Sequence, residues 1–158
     1  MESSTDLSIK TCLFDAESAI IRHIRTAVFH EEQGIDPALD WDGLDQKSIH
    51  LVAKVGGAGT GVARLREMAG SSGLKLERLA VLKSHRQQGI GAEIVHTAIA
   101  YSLSQGYTTL MLHAQLPTVK FYEQLGFIAI GEPFEEAGIT HLKMEQSLTE
   151  LETGLAKG

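Results

Sequence analysis

The chain has 158 residues, of which 43% are hydrophobic and 22% charged, the length of about one domain and an ordinary globular composition. A net charge of −6 with no Lys/Arg cluster leaves no basic face for nucleic acid, and no apolar run approaches the roughly 18–20 residues of a membrane span. The start, with Glu2, Asp6 and three hydroxyl residues, is unlike a signal peptide, so a cytoplasmic location is the expectation.

Residues 8–14 read as a first strand. Cys12 falls inside that apolar run and, as the single cysteine, is expected to be a buried small hydrophobe rather than a disulfide partner or nucleophile. Asp15 suits the N-cap of a helix in which Ile20, Ile24, Ala27 and Val28 recur at helical spacing, and Gly34 and Pro37 end it. Six carboxylates, Glu31, Glu32, Asp36, Asp40, Asp42 and Asp45, then fall within residues 31–46 without a Lys or Arg among them. Such a run is either a solvated acidic loop or a surface that draws in a cation. Its Asp40–Asp45 stretch has glycine in fourth place where a calcium loop needs it sixth, and no Cys/His zinc spacing exists, so no metal is expected.

Residues 48–55 alternate, with Ile49, Leu51, Ala53 and Val55 on one face. Gly56-Gly57-Ala58-Gly59 turns the chain into a strand at 60–67, making a hairpin. After a turn at 69–73, the strand 74–82 delivers Arg86-Gln87-Gln88-Gly89-Ile90-Gly91, which opens a helix with two apolar rows closed by Gly106. Residues 107–113 are apolar on both faces, as a central parallel strand should be. Pro117 suits the start of a helix through Gln124, with Gly126 as its C-cap. Strands at 127–131 and 139–145 complete a single domain over residues 1–146, followed by a polar tail at 147–158. The order β-α-β-β-β-α-β-α-β-β is mixed α/β, an α+β arrangement rather than a doubly wound sheet.

A strand, a glycine-bearing turn and a helix N-terminus together offer free backbone N–H groups and the positive end of a dipole to an anion. The spacing lacks the Gly-Lys-Ser/Thr of a P-loop and the third glycine of a dinucleotide fingerprint. Arg-x-x-Gly-x-Gly remains, and by itself it is also explained as a tight βα turn.

Joined to Leu79-Ala80-Val81 and to Phe121-Tyr122-Glu123-Gln124-Leu125-Gly126-Phe127 in that order, the motif resembles the GNAT superfamily of acetyl-CoA-dependent N-acetyltransferases. The likeness runs from about Ile9 to Met144. Val28-Phe29…Glu32-Gln33, Ala114-Gln115 and Phe134…Gly138-Ile139…His141…Met144 are similar to its small bacterial ElaA/YjcF-type branch. The resemblance implies a mostly antiparallel sheet in which the parallel strands 74–82 and 107–113 splay apart to admit the pantetheine arm, with helices on both faces.

It also implies roles. The N–H groups of Arg86, Gln87, Gln88, Gly89, Ile90, Gly91 and Ala92 would cradle the pyrophosphate of acetyl-CoA. Leu79, Ala80 and Val81 would pair with pantetheine, the N–H of Val81 polarising the thioester carbonyl. Gln115 stands where many relatives have an Asn that contacts pantetheine. Tyr122 would protonate the departing thiolate, a phenol of pKa about 10 sufficing for a thiol near 8.5. The acceptor amine, with a pKa of about 10.4, must first lose a proton. Glu77 is the first candidate base, placed on the central strand on one face with Leu79 and Val81. Glu32, His113 and His141 follow, and with Phe29 they are the candidate substrate-binding residues.

The implied activity is acetyl transfer to a primary amine by direct attack in a ternary complex. The acidic run favours a cationic acceptor, a small amine or a protein lysine. GNAT chains often dimerise, so a homodimer is compatible. Two alternatives stand beside this one. Arg25…Val28-Phe29…Glu32-Gln33-Gly34…Asp42…Asp45 also resembles acyl-homoserine-lactone synthases, and a non-catalytic acyl-CoA-binding sensor would need the cofactor site alone.

Overall fold

The alternating residues of 48–55 become a strand because one face can be buried. In the computed structural model, which describes residues 6–148, Leu51 and Ala53 are fully buried with Val55 beside them. The elements are β1 (Leu7–Leu13), α1 (Ser18–Arg25), α2 (Pro37–Asp40), β2 (Ile49–Val55), β3 (Ala58–Glu67), β4 (Gly73–Val81), α3 (Ile90–Ser104), β5 (Thr109–Gln115), α4 (Val119–Gln124), β6 (Ile128–Glu136) and β7 (Ile139–Ser147). Beyond Leu148 the expected polar tail lies outside the described residues.

Among the described residues the strands form one seven-stranded sheet in the order β1-β2-β3-β4-β5-β7-β6, whose only parallel pair there is β4 with β5. That is the mixed, mostly antiparallel sheet expected. One core lies under α3, where Ile90, Ile94, Val95, Ala98 and Ile99 pack on Leu51, Leu65, Leu76 and Leu110. The other lies under α1, where Ile21, Ile24, Val28 and Phe29 pack on Val52, Val62 and Ala80. Burial of apolar surface on both faces is what makes the central strands apolar throughout. The helix α3 sits so close to β3 that a Cβ at Gly61 would come within 2.9 Å of Ile94 Cδ1.

Several local expectations need correction. Asp15 does not cap α1. Phe14 is buried and pulls residues 14–16 into a 3-10 turn, so α1 starts at Ser18 and Asp15 instead accepts a bond from Gln46 Nε2 at 3.0 Å. The buried stripe of α1 is Ile21, Ile24 and Arg25, continuing to Val28 and Phe29 in a wider π-helical segment, Thr26–Glu32. Ile20 and Ala27 are only half-buried. The strand β6 runs on past Gly131-Glu132-Pro133, because an edge strand bulges between Ile130 and Phe134 and tolerates proline there. Ala137 and Gly138, both at positive φ, close the hairpin to β7.

Candidate active site

The site begins with one surplus residue. On β3 a single residue separates Val62 from Arg64, while on β4 two separate Glu77 from Ala80, so β4 bulges at Arg78, which sits at φ 57°. Up to the bulge β4 pairs with β5, from Gly73↔Thr109 to Leu76↔Leu112. Past it the two strands part: β4 stays on β3 as far as Val81, and β5 stays on β7 as far as Gln115↔His141.

The divergence frees one edge of β4. Leu82 N–H donates to Thr60 O, so by the antiparallel alternation Val81 turns its N–H and C=O to the β5 side. Its C=O accepts from Arg86 Nε at 2.9 Å, and its N–H faces the gap. Next in the chain, Gln87 (φ 64°) and Gly89 (φ 80°) both adopt the left-handed region and lead into α3, which no side chain caps. The first-turn N–H groups of α3 therefore stay open, in the kind of concavity that accepts an anion. A Cβ at Gly91, in the first turn, would rest at ordinary contact distance from Phe121 Cζ, 3.5 Å.

The gap opens into a cavity of about 400 Å³, whose lining includes Phe29, Leu79, His113, Gln115, Tyr122 and His141. Tyr122, on α4, packs edge-on between Phe121 and Phe127. Its hydroxyl has no hydrogen-bond partner among the described residues, yet no sealed side-chain N or O atom lacks one, so the hydroxyl opens on the cavity. Burial pushes this phenol well above its ordinary pKa, which keeps the proton on it. Gln115 Nε2 donates across the cavity to Gln33 Oε1 at 2.9 Å.

On the far wall stands a pair of histidines. His113 Nδ1 lies 2.9 Å from Glu136 Oε1. A carboxylate only accepts, so Nδ1 carries the proton and Nε2 of the neutral ring keeps its lone pair. His141 Nδ1 donates to Ile139 O at 2.7 Å, with its Nε2 4.0 Å from Glu136 Oε2. Phe134 fixes both rings, edge-on to His113 and stacked on His141.

Behind the bulge lies a network of buried charge. Arg25 and Arg64 are each 1% exposed. Arg25 binds Asp40 at 2.8 Å and Asp45 at 2.7 Å; Arg64 binds Asp42, Asp45 and Glu77. Arg78 reaches back from the bulge to Asp40 Oδ1 at 2.8 Å and Asp42 Oδ2 at 3.2 Å. These pairs hold Asp42 and Asp45 below the usual carboxylate range against the burial that pushes them up, and pin the 36–45 loop to β4.

A model of the acetyltransferase (GNAT) domain matches residues 25–148 of the chain. The chain belongs to the GNAT acetyltransferase family. It is 36% identical over 123 residues to the uncharacterized N-acetyltransferase YjcF of Bacillus subtilis, covering 77% of this chain and 86% of that one. Its fold matches Escherichia coli ElaA with a TM-score of 0.79 at 22% identity, covering 89% of this chain and 99% of that one. It also matches an aminoglycoside 6′-N-acetyltransferase solved with coenzyme A, with a TM-score of 0.72 at 18% identity over 89% and 97% of the two chains. The likeness to YjcF and ElaA places this N-acetyltransferase in the small bacterial branch.

Within the acetyltransferase, Phe29, Glu77, Leu79, His113, Gln115, Tyr122 and His141 meet at one cavity, while Ala80, Val81 and the 86–92 stretch lie beyond its lining. Glu32 is not brought to it. Arg86 grips Glu32 with both Nη atoms, at 2.5 and 2.6 Å, and that hydrogen bond lowers the Glu32 pKa. Arg86 N–H turns to Lys83 O, so the open donors begin after it. Glu77 does not share a face with Leu79 and Val81: the bulge shifts the alternation, leaving Glu77 beside Arg64 and the other two against the α3 core. Burial pushes Glu77 up, but Arg66 hydrogen bonds and the Arg64 charge outweigh it and hold the carboxyl at about 2. A carboxylate so placed is a poor base. Glu136 and Arg78 were missed. Their partners come from strand register and a bulge, which leave no local motif.

Proposed function

We propose that this acetyltransferase moves an acetyl group from acetyl-CoA to a primary amine of a small molecule, by direct attack with both substrates bound. The observation that carries the reading is the Tyr122 hydroxyl opening on the cavity at the place where β4 and β5 part. The residues fit the donor: open N–H groups from Gln87 to Ala92 would take the diphosphate, and the free edge of Leu79–Val81 would take the pantetheine amides. Acetyl-CoA supplies the activated acetyl group.

His113 serves as the base in place of Glu77. Its Nε2 lone pair is set by the Nδ1–H bond to Glu136, and the ring lines the cavity. The base takes the ammonium proton, the Val81 N–H bonds the carbonyl oxygen as charge develops there, and Tyr122 gives its proton to the departing sulfur. No cysteine lines the cavity, Cys12 being on β1, so no acyl-enzyme is called for.

The acidic run gives no ground for a cationic acceptor, because Asp40, Asp42 and Asp45 are held by Arg25, Arg64 and Arg78. Of the residues that suggested an acyl-homoserine-lactone synthase, Arg25, Asp42 and Asp45 belong to this same scaffold. Initial rates of thiol release, measured over a grid of acetyl-CoA and amine concentrations, test the reading. Intersecting lines are expected; parallel lines would refute direct attack.

A further inference from the structure

We infer that the acceptor amine carries an anionic group, and that Arg66 and Lys75, assisted by Arg78, receive it. This deepens the acetyl-transfer reading and rests on it for the position of the amine. The ground is the charge balance behind the bulge. The four carboxylates Asp40, Asp42, Asp45 and Glu77 face the five cations Arg25, Arg64, Arg66, Lys75 and Arg78, leaving one positive charge over.

That excess is presented to one wall of the cavity, whose other lining carboxylate, Glu136, is turned to His113 and His141 instead. Asp40 and Glu77 have side chains only 2% and 7% exposed, whereas Arg66, Arg78 and Lys75 are 32%, 21% and 17% exposed. The partly exposed Asp42 has both oxygens occupied, by Leu44 N–H and by Arg64 and Arg78. On the donor side, Nη1 of Arg66 and Nη1 of Arg78 have no partner among the described residues, and Lys75 Nζ makes one ion pair, at 3.4 Å. All three cations line the cavity.

Register then relates this wall to the base. Arg66 pairs with Lys75 and Lys75 with Met111, so His113, two residues on from Met111, is the diagonal neighbour of Lys75 on the same face. By strand spacing and rise, backbone positions so related lie roughly 8 Å apart. An amine at His113 Nε2 with its anionic end at Lys75 and Arg66 is thus a short molecule, on the scale of an amino acid or an aminoalkyl phosphate. A second ammonium at that end would meet three cations, which disfavours polyamines.

The test compares β-alanine, 2-aminoethyl phosphate, propylamine and 1,3-diaminopropane as acceptors by thiol release, and as ligands of the coenzyme-A-loaded protein by protein-observed NMR titration. At least one of the two anionic amines is expected to exceed both others tenfold or more in kcat/KM and in affinity, and the better of the two identifies the anion. Arg66→Gln and Lys75→Gln should each narrow that preference to within about threefold, and Arg66→Lys should keep most of it. Equal or better use of the diamine, or a preference unmoved in both Gln variants, overturns the inference. If no amine releases thiol, acetyl transfer fails, and the titration alone decides: selective binding of the anionic amines upholds the charged wall, and its absence removes it.

Discussion

Replacing Glu77 by Gln separates a structural carboxylate from a catalytic one. Its carboxyl accepts from Arg64, which is 1% exposed, and from Arg66 at 3.0 Å, with Lys75 at 3.4 Å. The pKa falls from 4.5 to about 2 on folding. A shift of that size, at about 1.36 kcal/mol per unit, corresponds to about 3 kcal/mol of stability. Because the folded value is the lower one, that contribution is complete above the unfolded pKa and is lost as pH falls from 4.5 towards 2. Glu77→Gln should therefore lower the unfolding free energy by about 3 kcal/mol at pH 7, the scale for orphaning a buried charge. The gap to the wild type should shrink steadily below pH 4.5. Urea unfolding at pH 7, 5, 4 and 3 measures both. A loss under 1 kcal/mol at neutral pH, or one that is the same at pH 3, would refute the reasoning. Turnover by the folded fraction should fall less than tenfold; a loss of a hundredfold or more would restore Glu77 as the base.

Three further outcomes are expected. Gly91→Ala should keep coenzyme A affinity within a few-fold, since its Cβ meets Phe121 and Val81 at ordinary contact distances of 3.5 and 3.8 Å, while Gly91→Glu should abolish binding in calorimetry by placing a carboxylate in the donor cradle. Tyr122→Phe should reduce kcat by about a hundredfold with KM changed much less; and because burial pushes the Tyr122 phenol up, wild-type kcat should show no descending limb from this group below about pH 10. His113→Gln should lower kcat/KM by about a hundredfold or more and Glu136→Gln by about tenfold, with the double variant no worse than His113→Gln, as for groups acting in one chain of hydrogen bonds.

The local signals were read where the chemistry is local. Alternation at Ile49–Val55 set a strand because a period of two matches one buried face, and the glycines after Val81 marked a turn into α3 because only a side chain without Cβ sits easily at the φ of Gly89. The ordered motifs around Val81, Arg86–Gly91 and Tyr122 carried the family and the sheet, since each is a short run whose residue types are legible locally. Glu77 was misread because a strand's alternation holds only until a bulge, and no residue type announces that Arg78 will take positive φ.

The same division runs through the charges. Sequence alone determined that six carboxylates crowd residues 31–46, that no basic cluster exists, and that Tyr122 precedes a glycine-capped turn. Only the tertiary structure decided what those carboxylates face. Arg25, Arg64 and Arg78 are 13 to 38 residues from their partners in the network, and Glu136 reaches His113 across 23. Electrostatic energy depends on distance in space and on burial, and the chain order specifies neither until the sheet has closed.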